Sequence, residues 1–426
     1  MPSKDFKENV VTNLKLQFKN ETFINGNRLL MNGFQRNRLL PFDSVAHLVL
    51  QWSSRSIQVE LSDFFEGDAQ VPTKSAFCQA RSKMSGQAFV QLNSQSCNIF
   101  YDQSSFRKWK GFRVLGIDGS TLQLPSHESV IEEFGQHSFG PKADALKSMA
   151  RISYLYDVYN GLVLDAQMGG FSESEAALCW KHLEHCRSGD MVLFDRYYAS
   201  YPLIFTLLQR GIDFCFRMKE DWWNVVEKFS GSKKMEDIVV LDLPEKYRGQ
   251  YPHLPGQVTV RLLKKRGGNG ELQVFCTSLL DCKTYSRKSI VNLYHQRWNI
   301  EEAYKFIKTR LDVEDWSGKT ALSVKQDFFA KTLLLTLCNI MCFNVKPQTK
   351  PKLRVRGNRP AIINRTYAMH QLKKSLYTWC TGSVCQQQIE LFQWEVACKP
   401  EFSRRGQSVP RNKKPFVKFA MSYKSV

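Results

Sequence analysis

The hydrophobic and polar positions in the middle of the chain follow the short period of β-strands. Bounded apolar runs predict strands at 112–118, at 190–195, at 212–219 and, as a hairpin, within 150–167. The hairpin turns at Asn160-Gly161, a dipeptide that suits the positive φ angles of a tight turn. The first strand is expected to end at Asp118, before a turn at Gly119, and the strand at 190–195 ends at Asp195.

Helical patterns alternate with these strands and continue on both sides of them. Between the strands, a capping box from Ser172 to Glu175 predicts a helix that runs to about Arg187. The other predicted helices are 43–66 with Asp43 as a candidate N-cap, two short helices within 73–92 interrupted near Ser85-Gly86, 201–210, 290–312, about 320–345, and one near 366–379. The segment 219–289, with a Gly-rich turn at 267–270, alternates apolar and polar residues and is predicted to be mostly β.

These elements predict an α/β protein with three regions. Residues 1–110 are predicted to form a helical N-terminal domain, and 111–345 an α/β core that the β-rich segment 219–289 interrupts. Residues 346–426 are predicted to form a helical, basic C-terminal region. A chain of 426 residues is long enough to give two or three such regions a buried core.

Charge distinguishes these regions further. The chain has 60 Lys and Arg residues against 40 Asp and Glu, a net charge of +20, and residues 345–426 alone carry 17 basic and 3 acidic residues. This excess favours a polyanionic partner, nucleic acid first and an acidic membrane second. The apolar stretch 332–343 is too short to span a bilayer, and residues 1–19 lack a secretory signal. The 12 cysteines form no C-x-x-C pair, which favours reduced thiols in a cytosolic protein.

The segment 294–311 carries a narrow polar stripe. On one continuous helix, Tyr294, Arg297, Glu301 and Lys308 fall at roughly 0°, 300°, 340° and 320°, beside an apolar face. A solvated helix usually spreads mixed charges over a broad face, whereas here one carboxylate lies between two cations and a phenol. A salt-bridged helix face is the alternative explanation.

Three acidic residues occupy informative places on the predicted elements. Asp118 lies on the first strand, Asp195 at the end of the fourth and Glu301 on a later helix, as the acids of a ribonuclease H-like fold do. Convergent carboxylates suit hard divalent cations, and two ions about 4 Å apart can catalyse phosphodiester displacement. Each acid alone has a simpler explanation, because Asp before Gly often forms a turn and Asp195 is also able to cap the next helix.

The pattern Y-x2-R-x3-E-x6-K is matched at every position from Tyr294 to Lys308 and resembles a known signature. It is similar to that of cut-and-paste insertion-sequence transposases of the D-D-E class. "VLGIDGSTLQLP" around Asp118 and "VLFDRYYAS" around Asp195 resemble the first and second acid regions of that family, and a long β insertion before the glutamate is typical of the subgroup. The resemblance covers roughly residues 30–345. It implies that Asp118, Asp195 and Glu301 bind two Mg²⁺ ions, for which Mn²⁺ can substitute.

The resemblance also implies a reaction and its partners. Water would attack the phosphodiester at the element's end, and the freed 3′-hydroxyl would then attack target DNA. In relatives with this signature, the second strand is cut through a hairpin intermediate. The expected partners are double-stranded DNA, as terminal inverted repeats and as target, and a second copy in a homodimeric synaptic complex, with no membrane. The expected location is the cytoplasm, associated with the bacterial nucleoid, and the basic C-terminal region would bind DNA, help to dimerise the protein, or both.

Ten further residues are expected to contact DNA: Tyr294, Arg297, Lys308, Arg196, Trp298, Trp222, Trp223, Lys74, Arg81 and Lys83. The cations beside the acids suit phosphate contacts, and the Tyr294 hydroxyl suits a terminal phosphate. The tryptophans are candidates to stack a flipped base, with packing in the core as the alternative for each. The last three residues belong to a predicted helix-turn-helix-like reader within 73–92, for which a plain packing module is the alternative.

Two other functions compete with the transposase. Another ribonuclease H-like nuclease needs the three acids but not the Tyr, Arg and Lys of the stripe. A domesticated transposase would keep DNA binding without metal-dependent cutting. Two further motifs are set aside: "SGKT" at 317–320 has Val313 where a phosphate-binding loop needs Gly, and His182-x2-His185 is predicted to lie at the surface.

Overall fold

The computed structural model describes residues 5–35, 39–51, 55–67, 70–138, 146–267, 270–348, 359–382 and 386–402. The helices are α1 (Phe6–Lys19), α2 (Glu21–Asn27), α3 (Phe42–Gln51), α4 (Ile57–Phe64), α5 (Lys74–Arg81), α6 (Gln87–Gln103), α7 (Glu128–Phe134), α8 (Glu175–His182), α9 (Tyr201–Gln209), α10 (Asn224–Gly231), α11 (Glu245–Arg248), α12 (Arg287–His295), α13 (Trp298–Thr309), α14 (Ala321–Met341), α15 (Arg365–Thr381) and α16 (Gln386–Ala397). The strands are β1 (Arg113–Gln123), β2 (Gln136–His137), β3 (Lys147–Asp157), β4 (Val163–Gly170), β5 (Asp190–Phe194), β6 (Asp213–Met218), β7 (Glu236–Asp242), β8 (Gln257–Arg266), β9 (Leu272–Thr277), β10 (Ala361–Ile362) and β11 (Glu401–Phe402).

In the described part of the chain, a nine-stranded mixed sheet lies at the centre of the α/β fold. Its order is β2-β3-β1-β5-β6-β9-β8-β7, with β4 paired to β3. β5 pairs in parallel with both β1 and β6. β3 and β4 form the predicted hairpin, which the Asp157 amide closes by donating to the Leu162 carbonyl at 2.8 Å. Gly161 supplies the positive φ angle, 80°, that this turn requires.

The β-rich segment 219–289 extends this same sheet. β9 pairs antiparallel with β6, β8 with β9, and β7 with β8. The segment also contains the short helices α10 and α11. The strand content agrees with the sequence pattern, while residues 268–269 of the predicted Gly-rich turn lie outside the described residues.

Several predicted element boundaries differ from the structure. β1 continues through Asp118 and Gly119, so the predicted turn at Gly119 is wrong. The helix predicted from Ser172 begins two residues later, because Ser174 is the side chain that accepts the Ala177 amide, at 3.0 Å. The region 43–66 contains two helices, α3 and α4, and Asp43 lies within the first turn of α3 rather than capping it.

The chain divides into two compact units. One comprises residues 107–121 and 151–305 and carries most of the sheet. Its core packs fully buried strand residues such as Phe194 and Phe216 together with Ile204 of α9.

The other unit comprises residues 1–106, 122–150 and 306–426. Its central helix is α14, which is buried along most of its length and packs against α6, α3 and α15. The Thr320 hydroxyl caps α14 by accepting the Ser323 amide at 3.2 Å. Helices from both predicted terminal regions therefore share this unit, and their functional division into domains stays a prediction. None of the helices in the described ranges is long and apolar enough to cross a membrane.

Candidate active site

Asp118 lies in the middle of β1, and its backbone is firmly held. Its carbonyl accepts hydrogen bonds from the Tyr304 hydroxyl at 2.6 Å and from the Ser153 hydroxyl at 3.2 Å. The Gly119 amide donates to the Asp118 carboxylate at 3.0 Å. A Cβ at Gly119 would lie 2.7 Å from the Glu175 side chain, so glycine permits this close approach of α8 to the strand.

Asp195 follows β5 directly and lies next to Asp118. β1 and β5 are parallel and pair Ile117 with Phe194, so the acid that follows each residue emerges at the same edge of the sheet. Ile117 and Phe194 are fully buried, whereas the Asp118 and Asp195 side chains are 18% and 38% exposed. The apolar core therefore fixes the register that brings two carboxylates together at the solvent boundary.

Glu301 is brought to this edge by a break between two helices. The predicted continuous helix over 290–312 is wrong, because α12 ends at His295 and α13 begins at Trp298. Arg297 lies in the junction, which the Asn299 side chain closes by donating to the backbone of the β3–β4 turn at 2.9 Å. Glu301 then lies in the first turn of α13.

The Arg297 guanidinium lies between the three acids. Its Nη2 donates to Glu301 Oε1 at 2.7 Å and lies 4.0 Å from Asp195 Oδ2. Its Nη1 lies 3.4 Å from Asp118 Oδ2. The Arg297 side chain is only 6% exposed, and its Nε is buried without a hydrogen-bond partner among the described residues.

Burial and charge perturb the acids of this cluster. The pKa of Asp118 is raised to about 6, mainly by burial, which the Arg297 charge and the Gly119 amide oppose and the Glu301 and Asp195 charges reinforce. Burial alone would lower the pKa of Arg297, but the adjacent Tyr294, Asp118 and Glu301 raise it above its usual value. A strongly perturbed carboxyl beside other titratable groups is typical of a functional site.

The donor chemistry of the three acids fits a hard divalent cation. Carboxylate oxygens are the ligands that Mg²⁺ and similar ions prefer. Within the described ranges, no three Asp, Glu, His or Cys side chains are already arranged as a metal site, and the three acids lie instead around the guanidinium.

Comparison with known proteins identifies the family. Residues 109–337, more than half of the chain, match the family described as "Transposase DDE domain". The chain belongs to this family. Its members normally use divalent metal ions, and the resemblance to an insertion-sequence D-D-E transposase is confirmed.

Individual relatives agree with the family. The chain is 23% identical over 281 residues to "Transposase InsG for insertion sequence element IS4" of Escherichia coli (strain K12), an alignment that covers 64% of this chain and 63% of InsG. It is 25% identical over 240 residues to "Putative transposase InsZ" of the same organism, covering 54% of this chain and 76% of InsZ. The similarity therefore spans less than two thirds of InsG. Among solved structures, a piggyBac transposase synaptic complex with hairpin DNA has a TM-score of 0.48 at 11% identity, covering 95% of this chain and 88% of that one.

The stripe of this DDE-family chain has two other members, and one of them, Tyr294, has its ring centroid 5.9 Å from the Arg297 guanidinium carbon. Tyr294 is a buried residue of the last turn of α12, and its ring packs edge-on against Phe275 with the ring centroids 5.0 Å apart. Burial raises its pKa. Lys308 is half-buried two turns after Glu301 on α13. Phosphate contacts by either residue stay predictions.

An aromatic cavity of about 700 Å³ is lined in part by the segment 197–201, which follows Asp195 in the chain. It is lined by Tyr197, Tyr198, Tyr201, Trp222, Trp223, Tyr247 and neighbouring residues, among them Lys246 and Asp242. Trp223 stacks on Tyr201 with ring centroids 4.1 Å apart. The Trp222 ring is 43% exposed and lies 4.4 Å from the Lys219 ammonium. Trp298, at the start of α13, is 56% exposed, and Arg196 is exposed next to Asp195.

The basic residues of α5 and its C-terminal loop divide into exposed and buried groups. Lys74 is exposed and Lys83 is half-buried. Arg81 is buried instead, and its guanidinium donates to Asp327 at 2.8 Å, to Gln326 at 2.6 Å and to a backbone carbonyl of α14. The prediction that Arg81 contacts DNA is therefore wrong, because its guanidinium is already engaged in fixing α5 to α14.

A buried histidine was missed by the sequence analysis. The prediction that His182 lies at the surface is wrong: it is fully buried, with Nδ1 2.6 Å from Asp165 and Nε2 2.9 Å from the Ser153 hydroxyl. Ser153 in turn donates to the Asp118 carbonyl, so this chain of contacts supports the backbone of the first acid. The available signal was position, since His182 lies on the same helix face as the buried Leu178 and Cys179.

Proposed function

We propose that this protein is a cut-and-paste DNA transposase with Asp118, Asp195 and Glu301 as its catalytic acids. The observation that carries the proposal is the meeting of these carboxylates, from three separate parts of the chain, within 4.0 Å of one guanidinium. Side chains that merely stabilise a fold rarely bring three like charges to one place, because their repulsion opposes it. Membership of the DDE family and the names of InsG and InsZ support the same activity.

The catalytic core is proposed to be ribonuclease H-like. The spatial order β4-β3-β1-β5-β6 supports this fold. One side of it is the β3–β4 hairpin, and on the other side β1, β5 and β6 are parallel, with α8 before β5 and α9 between β5 and β6 in the chain. The first two acids lie on and after adjacent parallel strands, β1 and β5, where the carboxyl end of a sheet usually binds ligands. The strands β7 to β9 would then be the family's insertion.

The proposed chemistry is hydrolysis followed by transesterification. When bound by the three acids, two Mg²⁺ ions, or Mn²⁺ in their place, would activate the attacking oxygen and stabilise the leaving one. Water cuts the phosphodiester at the element's end, and the freed 3′-hydroxyl attacks target DNA. Arg297 and Lys308 donate to phosphate oxygens near the scissile bond, and the hydrogen bonds of Tyr304 and Ser153 keep Asp118 in position.

The second strand is proposed to be cut through a hairpin. A hairpin requires sharply bent DNA, and a base flipped out of the helix needs an aromatic surface. The aromatic cavity offers stacked rings, an exposed Trp222 and nearby lysines, and Trp298 is exposed at the start of the helix that carries Glu301. These features support base stacking by Trp222, Trp223 and Trp298.

The proposed partners are the terminal inverted repeats, target DNA and a second copy of the chain in a synaptic homodimer. The exposed Lys74 and half-buried Lys83 support DNA contact by the N-terminal helices, and the +20 net charge supports a polyanionic partner. The basic C-terminal region is proposed to contact DNA, to dimerise, or both. The location proposed for this activity is the bacterial cytoplasm, at the nucleoid.

A cleavage assay tests the function. A plasmid carrying the DNA that flanks this gene is incubated with Mg²⁺ and either wild type, Glu301→Gln or Glu302→Gln. Glu302 is the matched control, because its side chain is 64% exposed and pairs only with Lys305 among the described contacts. We expect wild type and Glu302→Gln to cut at the element boundaries and Glu301→Gln to lose at least about 100-fold, more than loss of an outer-shell partner usually causes.

The other outcomes separate the competing functions. Equal cutting by wild type and Glu301→Gln would refute the assigned acids. Metal-dependent cutting without joining to target DNA would favour a nuclease. DNA binding with no cutting by any variant would favour a domesticated binding protein.

A further inference from the structure

We infer that Arg297 acts as the resident counter-cation of the acid cluster in the DNA-free protein, and that metal ions and Arg297 compete for the same carboxylates. Metal ions would then bind well only when Arg297 transfers to a DNA phosphate. This inference rests on the proposed function and adds a means by which DNA engagement controls metal loading.

The first support is the position of the guanidinium. Glu301, Asp195 and Asp118 lie 2.7, 4.0 and 3.4 Å from its two terminal nitrogens, so Arg297 contacts all three proposed metal ligands at once. A cation that is surrounded by these carboxylates occupies the space and uses the oxygen lone pairs that metal ions would need. Two divalent ions and a guanidinium at one cluster would also repel one another strongly.

The second support is the incomplete bonding of Arg297 in this position. Its side chain is 6% exposed, yet Nε is buried without a partner among the described residues. Buried donors are normally satisfied, so this resting place is favoured by charge rather than by a full set of hydrogen bonds. A DNA phosphate has two acceptor oxygens that a guanidinium can bind together, and it is negatively charged, as the carboxylates are.

The third support is the local backbone. Arg297 lies between α12 and α13, outside the regular part of either helix. Asn299, which donates to Gln296 at 3.3 Å and to the β3–β4 turn, holds this junction in place. The arginine side chain can therefore move to a phosphate by rotating its own torsions, while the helix that carries Glu301 stays fixed.

Mn²⁺ binding to the DNA-free protein tests this competition. The loss of the free Mn²⁺ signal in electron paramagnetic resonance gives the affinity of the full chain without any cleavage. We expect Arg297→Gln to bind Mn²⁺ roughly tenfold more tightly than wild type, because the competing charge is gone. Arg297→Lys, which keeps the charge, should stay near wild type, and the double variant Arg297→Gln/Glu301→Gln should lose the gain.

The matched control is Arg217→Gln. Arg217 lies in the same compact unit, pairs with Glu271 at 2.7 Å, and its loss changes the net charge equally. A tenfold gain in Arg217→Gln as well would show a general charge effect and overturn the inference. Thermal melting verifies folding, and Arg297→Met serves as a second uncharged variant if Arg297→Gln does not fold.

The remaining outcomes separate this inference from the proposed function. Equal or weaker Mn²⁺ binding by the uncharged Arg297 variants, with measurable binding by wild type, would overturn the competition and leave the metal site intact. No Mn²⁺ binding by wild type or by any variant, with or without the flanking DNA, would overturn both the competition and the metal-dependent function.

Discussion

At the residue scale, Asp118 is the group whose protonation most affects both folding and chemistry. Burial is the main cause that raises its pKa from 3.8 to about 6, a value that already includes the opposing effect of the Arg297 charge. The unfolded chain therefore releases the proton at a lower pH than the folded protein does. Between about pH 4 and pH 6, rising pH weakens the folded state through this group, and above pH 6 the full loss is present.

Replacing Asp118 should therefore stabilise the metal-free protein. Asp118→Asn removes a buried charge, and we expect the free energy of unfolding at pH 8 to increase by about 1–3 kcal/mol, since each pKa unit corresponds to about 1.4 kcal/mol. The gain should largely disappear near pH 4, where the wild-type carboxyl is protonated in the folded state and about half protonated in the unfolded state. Urea titrations in EDTA at the two pH values measure this.

The exposed Glu302→Gln variant is the control for this titration and should show no comparable gain. A stabilisation by Asp118→Asn that is the same at both pH values would contradict the role of ionisation.

The same substitution, Asp118→Asn, should abolish DNA cleavage, because an amide is a poor metal ligand. Stability and activity would then be opposed at one residue, as is common at functional sites.

Strand placement and residue spacing in the sequence pointed to three acids that the structure brings around Arg297, but not to their supporting contacts. Glu301 could be chosen because Arg297 and Lys308 stand at fixed distances from it along the chain. The helix face that His182 shares with Leu178 and Cys179 indicated its burial, whereas Arg81 could not be placed, because its partner is remote in sequence. Arg81 is buried by Asp327, 246 residues later, and no local pattern contains that information.

At the scale of elements, strands were predicted better than helix boundaries. The apolar runs of β5 and β6 are unmistakable because both faces of these central strands are buried. The break between α12 and α13 could not be predicted from the helical periodicity, because Gln296 and Arg297 interrupt the helix for less than one turn and the apolar pattern continues across them. The pairing of β9 with β6 joins residues about 60 positions apart, and register across such a distance is not encoded locally.

The three candidate tryptophans, of which Trp298 and Trp222 are exposed and Trp223 is half-buried, give a prediction at this scale. If they stack a flipped base, Trp298→Ala and the double variant Trp222→Ala/Trp223→Ala should each slow hairpin formation by about 5- to 100-fold, the equivalent of one lost base–aromatic stack. First-strand nicking should change much less, because the acids remain. Denaturing gels that separate nicked, hairpin and open ends measure both steps.

Trp394 on α16 provides a matched control, because it is 56% exposed, as Trp298 is. Trp394→Ala should form hairpins at the wild-type rate. Since Trp223 also packs on Tyr201, the single variant Trp222→Ala distinguishes a lost stack from a disturbed cavity. Wild-type hairpin rates in both Trp298→Ala and the double variant would refute the stacking proposal.

At the scale of the whole molecule, the net charge of +20 is concentrated towards the C-terminal end of the chain. Residues 345–426 carry 17 basic and 3 acidic residues, yet α15 packs against α14 in the same compact unit. Removing the whole region would therefore damage the core as well as the charge. The segment 403–426 offers a cleaner experiment, since its sequence contains seven basic and no acidic residues.

Changing those seven Lys and Arg residues to Gln should weaken binding to duplex DNA of any sequence and flatten its salt dependence. Each phosphate contact contributes about 0.9 to the slope of log K against log salt, so the slope should fall by up to about 6. Fluorescence anisotropy from 50 to 200 mM salt measures this, with Lys233→Gln/Lys234→Gln, two lysines in a loop before β7, as the control for loss of charge elsewhere. An unchanged salt slope together with a lower average mass in light scattering would assign the segment to dimerisation instead.

If the slope and the average mass both fall, the segment contributes to both DNA binding and dimerisation, because the two measurements report on the two functions separately.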